Sequence, residues 1–202
     1  SSKNDKEKDY YYILDEIGLL SEVQMNSYEF HIWGSNASNK NKPNMMVFDL
    51  DPDKSLSLDK LRLGVKYLKE ILDNLNLKSF LKTSGGKGYH ICIPFKNNLT
   101  WKKFYKISED IANIIENTHS ELFTTNNRKE KRKNKIFIDY LRNQKSATFV
   151  APYSVRLRKN APVSMPIAWN ELDKIKPNEI TIYKAIKRLK KKDPWKDFFT
   201  SN

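Results

Sequence analysis

The sequence predicts an α/β or α+β domain, on three observations. Short apolar runs bounded by turn residues alternate with two long amphipathic stretches. The hydrophobic share is 39%, with ten Phe, ten Tyr and four Trp, enough to build a core beneath both kinds of element. No internal repeat and no composition-marked linker divides the 202 residues, so the chain reads as one domain over 10–202 behind a disordered tail over 1–9.

In chain order, "YYYILDEIGLLSEVQM" carries Ile13, Ile17, Leu20 and Val23 near helical spacing. "YEFHIW" (28–33) reads as a short strand, and "GSNASNKNKPN" as turn chemistry. "MMVFDL" is a fully apolar strand that ends on acids. From Ser57, Leu58, Leu61, Val65, Leu68, Leu72 and Leu75 recur at three and four, which predicts an amphipathic helix. "SFLKTS" and "YHICIPF" read as two strands around "SGGKG". "WKKFYKISEDIANIIENTHSEL" predicts a second long helix, with Phe104, Ile107, Ile111, Ile114 and Ile115 near one side. "KIFIDYL" and "ATFVAPYSVRLR" read as further strands, and "NEITIYKAIKRLKKK" as a last helix before "DPWKDFF". Strands mixed with helices in this order give an α/β or α+β core.

Charge and composition narrow the function. No run approaches the roughly 20 apolar residues that span a bilayer, and the first residues carry no apolar stretch of signal-peptide type. Cys92 is the only cysteine, so no internal disulfide can form and zinc-ribbon spacing is absent; within "YHICIPF" it reads as a core residue. An intracellular location is expected. The formal net charge of +13, from 37 Lys and Arg against 24 Asp and Glu, points to a polyanionic partner. An AT-rich genome would raise Lys and Asn codons, but it would raise Glu and Asp as well, so the imbalance still calls for a partner such as nucleic acid.

Acids inside apolar strands carry the chemistry. In "VFDLDPD", Asp49 and Asp51 lie two apart, so a strand turns both to one face, where they repel. Asp53 comes close behind, and "KIFID" repeats the form of a hydrophobic run ending in an acid, Asp139. Such acids are costly unless paired or metal-bound. Mg²⁺ and Mn²⁺ prefer carboxylate oxygens, and two such ions held about 3.5–4 Å apart clamp the attacking and leaving oxygens of a phosphoryl transfer. Strand-end acids paired with the many lysines are the bland alternative. "KTSGGKGYH" weighs against it: adjacent glycines let the backbone approach a ligand, and Ser84, Lys87 and His90 could hold a triphosphate. The order is wrong for a P-loop, because Lys87 precedes Gly88 and a strand comes next. A plain hairpin would need the glycines but would have no use for Ser84 and His90. "DLDPD" also approaches the haloacid-dehalogenase phosphatase pattern, but Asp53 stands where that pattern needs Thr or Val.

Taken together and in order, "QMNSYEFHIWGS", "VFDLDPD", "LKTSGGKGYHICIPF", "KIFIDYLRNQKSATFVAPYSVRLRKNAPVSMPIAWNEL" and "DPWKDF" closely resemble the polymerase domain of bacterial ATP-dependent DNA ligase D, a member of the archaeo-eukaryotic primase superfamily. The resemblance runs from about Tyr11 to Phe199. It implies a primase-polymerase fold, a mixed and largely antiparallel sheet flanked by helices. It implies two divalent ions, Mn²⁺ or Mg²⁺, on Asp49, Asp51 and Asp139, which are the catalytic acids. Nucleotide-binding residues carried over by the same resemblance are His31, near the sugar, Ser84, Lys87, His90 and Arg132, which stands seven residues before the third acid. The implied activity is template-directed nucleotidyl transfer, preferring ribonucleotides, to the 3′ end of DNA at gaps or breaks in non-homologous end joining. Expected partners are DNA ends, nucleoside triphosphates, a DNA ligase and a Ku-type end-binding protein, in a bacterial cytoplasm near the nucleoid. A primase of the same superfamily and a non-catalytic DNA-end-binding module are the alternatives. Family domains usually carry a further N-terminal segment before the "QMNSYEFHIWGS" block, which supplies much of the contact to template and to a recessed 5′-phosphate; the chain beginning just before the block reads as a trimmed form, a naturally short form, or a protein that takes those contacts from elsewhere.

The remaining features read as structural. His119 is expected to cap or lie solvated at a helix end, and the four Trp to anchor the core. The basic run 128–135 reads as a loop whose Arg132 meets phosphate, and "KRLKKK" (187–192) as a DNA-facing or solvated helix end. Tyr153 and Arg156 are open to either reading.

Overall fold

The fold is that of a computed structural model, which describes residues 12–96 and 98–201; the expected tail over 1–9 lies outside them. Among the described residues, four α-helices run over Glu16–Gln24 (α1), Leu58–Asn74 (α2), Trp101–Thr118 (α3) and Ile182–Arg188 (α4). The strands are His31–Ile32 (β1), Met45–Pro52 (β2), Phe80–Thr83 (β3), Tyr89–Pro94 (β4), Phe123–Thr124 (β5), Ile136–Asp139 (β6), Phe149–Val150 (β7) and Pro166–Ile167 (β8). The chain is thus α+β, with a six-stranded sheet in the order β5-β6-β2-β4-β3-β8. Every pair in it is antiparallel except β5 with β6. A separate antiparallel pair joins β1 and β7.

The two faces of the sheet are covered differently. Met46, Phe48 and Leu50 alternate onto one face of β2, with Leu81, Ile91, Ile93 and Ile138 from neighbouring strands. Against them lie Leu61, Val65, Leu68 and Leu72 of α2 and Phe104, Ile111 and Ile115 of α3, all buried. Both helices begin on hydroxyl caps: Ser57 Oγ accepts from Lys60 N, and Thr100 Oγ1 from Lys103 N. On the opposite face a smaller core joins Met45, Val47, Phe80 and Cys92 to Phe149, Trp195 and Phe198. It covers only the Met45 end of β2. Toward the Pro52 end the same face carries Asp49 and Asp51.

Several expected boundaries move. The strand expected over 28–33 keeps only two residues. That expected over 147–158 keeps only Phe149 and Val150, and residues 151–158 form a loop. α3 stops at Thr118, where the His119 N–H caps Ile115 O and the ring stacks on Tyr67 at 3.8 Å. α1 forms where helical spacing predicted it, capped by Asp15, but it buries no side chain: Ile17 and Leu20 are exposed. Cys92 is buried, as expected for a core residue. Among the described residues, no helix is long and apolar enough to cross a membrane.

Candidate active site on the open face of the sheet

Strand register builds the site. Asp139 of β6 stands opposite Asp49 of β2, Asp49 opposite His90 of β4, and His90 opposite Lys82 of β3. Directly opposed residues share a face, so four ionisable side chains form one row across the sheet. Asp51, two residues along β2, stands beside the row on the same face. The acid pair therefore does not sit alone among lysines; it meets a third acid on one side and two bases on the other.

Each carboxylate faces a protein base or cation. Asp49 Oδ1 lies 3.4 Å from His90 Nε2, and Asp51 Oδ2 lies 3.8 Å from Arg132 Nη1. Asp139 Oδ2 accepts from Arg142 Nε at 3.0 Å, and its Oδ1 accepts from Leu141 N at 3.0 Å. Burial pushes Asp51 above the usual carboxylate range, and repulsion from Asp49 adds to it. Asp139 is likewise raised by burial, which Arg142 opposes and Asp49 reinforces. Burial would raise Asp49 too, but His90, Lys82 and Arg142 together hold it down. His90 moves opposite to an ordinary ion-pair partner: burial lowers it, Lys82 and Arg156 push the same way, and Asp49 recovers only part. The ring is therefore neutral at neutral pH, and its Nδ1 is buried with no hydrogen-bond partner among the described residues.

The donor chemistry fits hard divalent cations: three carboxylates on adjacent strands, crowded enough to repel one another, offer oxygen ligands only. Among the described residues they are not closed into a ready-made set, because Asp51 and Asp139 are turned onto Arg132 and Arg142. Asp53 does not join them. It is half-buried, and its carboxylate accepts from Ser55 and from Asn134 N, bonds that hold it near 2.

The turn between β3 and β4 is built from its own side chains. Gly85 has φ +66°, a left-handed conformation that favours glycine. A Cβ on Gly88 would stand 1.9 Å from Leu50 O, so only glycine lets the turn lie against β2. Ser84 is buried, and its Oγ accepts from Gly86 N at 3.0 Å and Gly88 N at 3.3 Å. The expectation that a plain turn has no use for Ser84 is thus corrected: its hydroxyl caps the turn and keeps only its proton to donate elsewhere. Lys87 is exposed at the tip, and its charge opposes the raising of Asp51. Arg132 is held over the Phe137 ring at 3.6 Å and donates to Asn126 O and Asn127 O.

His31 sits at the start of β1, 40% exposed at its side chain, with Nε2 2.9 Å from Glu29 Oε1. Sequence reading missed several neighbours. Lys82 is fully buried and donates to Ser164 Oγ; burial lowers it to about 8. A lysine inside the apolar run "SFLKTS" was its visible signal. Arg156, open to either reading by sequence, donates to Ser84 O at 2.7 Å and pairs with Glu29, and Arg158 lies beside Gly86. Both come from a loop that period-two alternation had disguised as a strand. Arg142 of the turn after β6 was not singled out either, because nothing local marks it as the partner of Asp139.

Comparison with known proteins bears on the family and the fold. The family described as LigD, primase-polymerase domain, matches residues 1–195. The chain is 36% identical over 184 residues to the multifunctional non-homologous end joining protein LigD of Pseudomonas aeruginosa, covering 89% of this chain and 22% of that protein. It is 32% identical over 177 residues to the bifunctional non-homologous end joining protein LigD of Bacillus subtilis, covering 85% and 28%. The chain thus spans about a quarter of the length of these curated relatives. Among solved structures, the polymerase domain from Mycobacterium tuberculosis ligase D in complex with DNA matches with a TM-score of 0.82 and 26% identity, over 91% of this chain and 67% of that one.

Proposed function

The chain belongs to the family of LigD primase-polymerase domains, and from that premise we propose that it adds nucleotides to the 3′ end of DNA at gaps or breaks, directed by a template, dependent on Mn²⁺ or Mg²⁺ and with a preference for ribonucleotides. The observation that carries this reading is the cross-strand row from Asp139 through Asp49 to His90 and Lys82, with Asp51 beside it on a face the core leaves open. Three crowded carboxylates there have a use if cations are to be held against phosphates.

Each residue of the site then has a part. Asp49, Asp51 and Asp139 would hold two divalent ions, which when bound neutralise phosphate charge and acidify the attacking 3′-hydroxyl. To offer their oxygens, Asp51 and Asp139 leave Arg132 and Arg142, and both guanidiniums become free to face the triphosphate. Lys87 adds charge at the tip of the glycine turn. His90, neutral and with an unpartnered Nδ1, offers a polar contact beside Asp49. Ser84 and His31 face the nucleotide sugar, whose 2′-hydroxyl both donates and accepts. The hydroxyl attacks the α-phosphorus in line, and pyrophosphate leaves. A DNA ligase would seal the product, and a Ku-type protein would hold the ends.

The test is primer extension on a gapped duplex with Mn²⁺ or Mg²⁺, comparing ribo- with deoxynucleoside triphosphates and the wild type with Asp139→Ala. Template-matched, metal-dependent addition that the variant loses supports the reading. Equal addition by the variant, or template-independent addition, refutes it. DNA binding with no addition by the wild type would favour an end-binding module.

A further inference from the structure

Glu29 lies outside the row of acids and bases, yet it gathers more polar contacts than any acid in the row. Its Oε1 lies 2.9 Å from His31 Nε2 and 3.0 Å from Arg156 Nε, and its Oε2 accepts from Leu157 N at 2.9 Å. The carboxylate is largely buried, 21% exposed at its side chain, and Arg156 is 14% exposed. One group therefore joins three segments of the chain: β1 through His31, the 153–158 loop through Leu157, and the glycine turn through Arg156, whose Nη1 donates to Ser84 O at 2.7 Å. Burial alone would push the Glu29 carboxyl up, but His31, Leu157 and Arg156 bring it down to about 2, so it is an anion at any pH where the protein works.

An ionised carboxylate only accepts hydrogen bonds. The His31 atom facing it, Nε2, must then carry the proton, and in the neutral ring Nδ1 is left as an acceptor. Nδ1 makes no hydrogen bond among the described residues. We propose that Glu29 is a positioning residue that sets sugar selectivity: it fixes His31 with Nε2–H turned inward and so leaves Nδ1 as the acceptor for a ribose 2′-hydroxyl, an inference that rests on the nucleotide-binding reading of His31. A deoxyribose has no proton to give that nitrogen. It would leave Nδ1 without a partner once water is excluded, and a lost partner in a desolvated site costs more than a bond that was never needed.

Two measurements test this. Nitrogen-15 spectra of the wild-type imidazoles, taken without metal, are expected to show His31 as the Nε2–H tautomer and Glu29→Gln to show a mixture, because an amide offers one acceptor oxygen to three donors. A wild-type ring found as the Nδ1–H tautomer overturns the proposal without any variant. Calorimetric titration with ATP and dATP in Mn²⁺ is then expected to show the ratio of their dissociation constants shrinking about tenfold in Glu29→Gln, the scale of one hydrogen bond. A ratio unchanged in a variant that melts like the wild type overturns the proposal alone. A wild type that binds neither nucleotide overturns it together with the reading of His31.

Discussion

Asn143 shows one side chain standing in for a strand. β6 ends at Asp139, and the chain turns through a 3₁₀ turn at Leu141–Asn143, so the backbone of Val47 on β2 loses its neighbour. Asn143 replaces it: its Oδ1 accepts from Val47 N and its Nδ2 donates to Val47 O, both at 2.8 Å. The side chain is 1% exposed, so no water can substitute. Asn143→Ala is expected to cost about 2–4 kcal/mol, from two buried backbone groups left unmade, and urea unfolding measures it. Lys82 should behave oppositely. Burial lowers Lys82 to about 8, so its charged form is less favourable in the fold than in water, and Lys82→Met is expected to melt no lower than the wild type. Nucleotide addition should fall at least about tenfold, because Asp49 loses a cation that holds it ionised. A large drop in melting temperature with activity intact would show Lys82 to be scaffold only. Glu29 gives a pH signature. Its carboxyl falls from an ordinary 4.5 to about 2 on folding, so its stabilisation is full above about 4.5 and is lost as pH falls toward 2. Stability measured from pH 5 down to 2 should therefore decline less steeply in Glu29→Gln than in the wild type.

At the scale of elements, the glycine turn and β2 depend on each other. Gly88 meets the Leu50 carbonyl where any Cβ would overlap it, and Leu50 lies between Asp49 and Asp51. Gly88→Ala must push the start of β4 away from the acid-bearing strand; it is expected to cost about 1–3 kcal/mol and to weaken nucleotide binding more than Gly85→Ala, which adds strain at φ +66° and a Cβ 2.6 Å from Arg156 Cγ, a side chain that can shift, and no clash with β2. Thermal unfolding and nucleotide titration of the two variants separate these effects. The same elements show what a sequence can disclose. α2 and α3 were legible because each turns one apolar stripe to the sheet, and periodicity records that directly. The acid row was legible in part: alternation put Asp49 and Asp51 on one face, whereas their neighbours Asp139, His90 and Lys82 come from register between strands far apart in sequence. The chain over 151–158 misled because its apolar and polar residues alternate in sequence without alternating in burial: it is a loop clamped by Glu29 and Ser84 in which Ser154 is buried and Leu157 exposed, with Tyr153 at φ +66°, a conformation no strand permits. Glu29 itself was illegible, since its three partners meet only in the fold.

For the whole molecule, the net charge makes the proposed binding of DNA testable. The three acids of the sheet are matched by Lys82, Arg132 and Arg142, with His90 neutral, so the rest of the chain carries the net +13. Beyond Arg188, which is held by Glu171 through two bonds of 2.8 Å, Lys191, Lys192 and Lys196 line a cavity of about 670 Å³ together with Tyr153 and Pro166. Pro166 stands opposite Lys82, so this basic wall lies at the end of the acid row, about two strand spacings or roughly 10 Å beyond His90. A nucleic-acid strand with its end at the acids would pass there. Each phosphate contacted releases counterions and contributes about −0.9 to the slope of log affinity against log salt on duplex DNA. Binding of a gapped duplex between about 50 and 200 mM KCl is therefore expected to weaken steeply. Replacing Lys191, Lys192 and Lys196 together by Gln is expected to flatten that slope by about 2, while the melting temperature stays near the wild type, since these side chains lie at the surface. A slope that the triple variant leaves unchanged would put the DNA path on another face, and a salt-independent wild type would detach the +13 charge from DNA altogether.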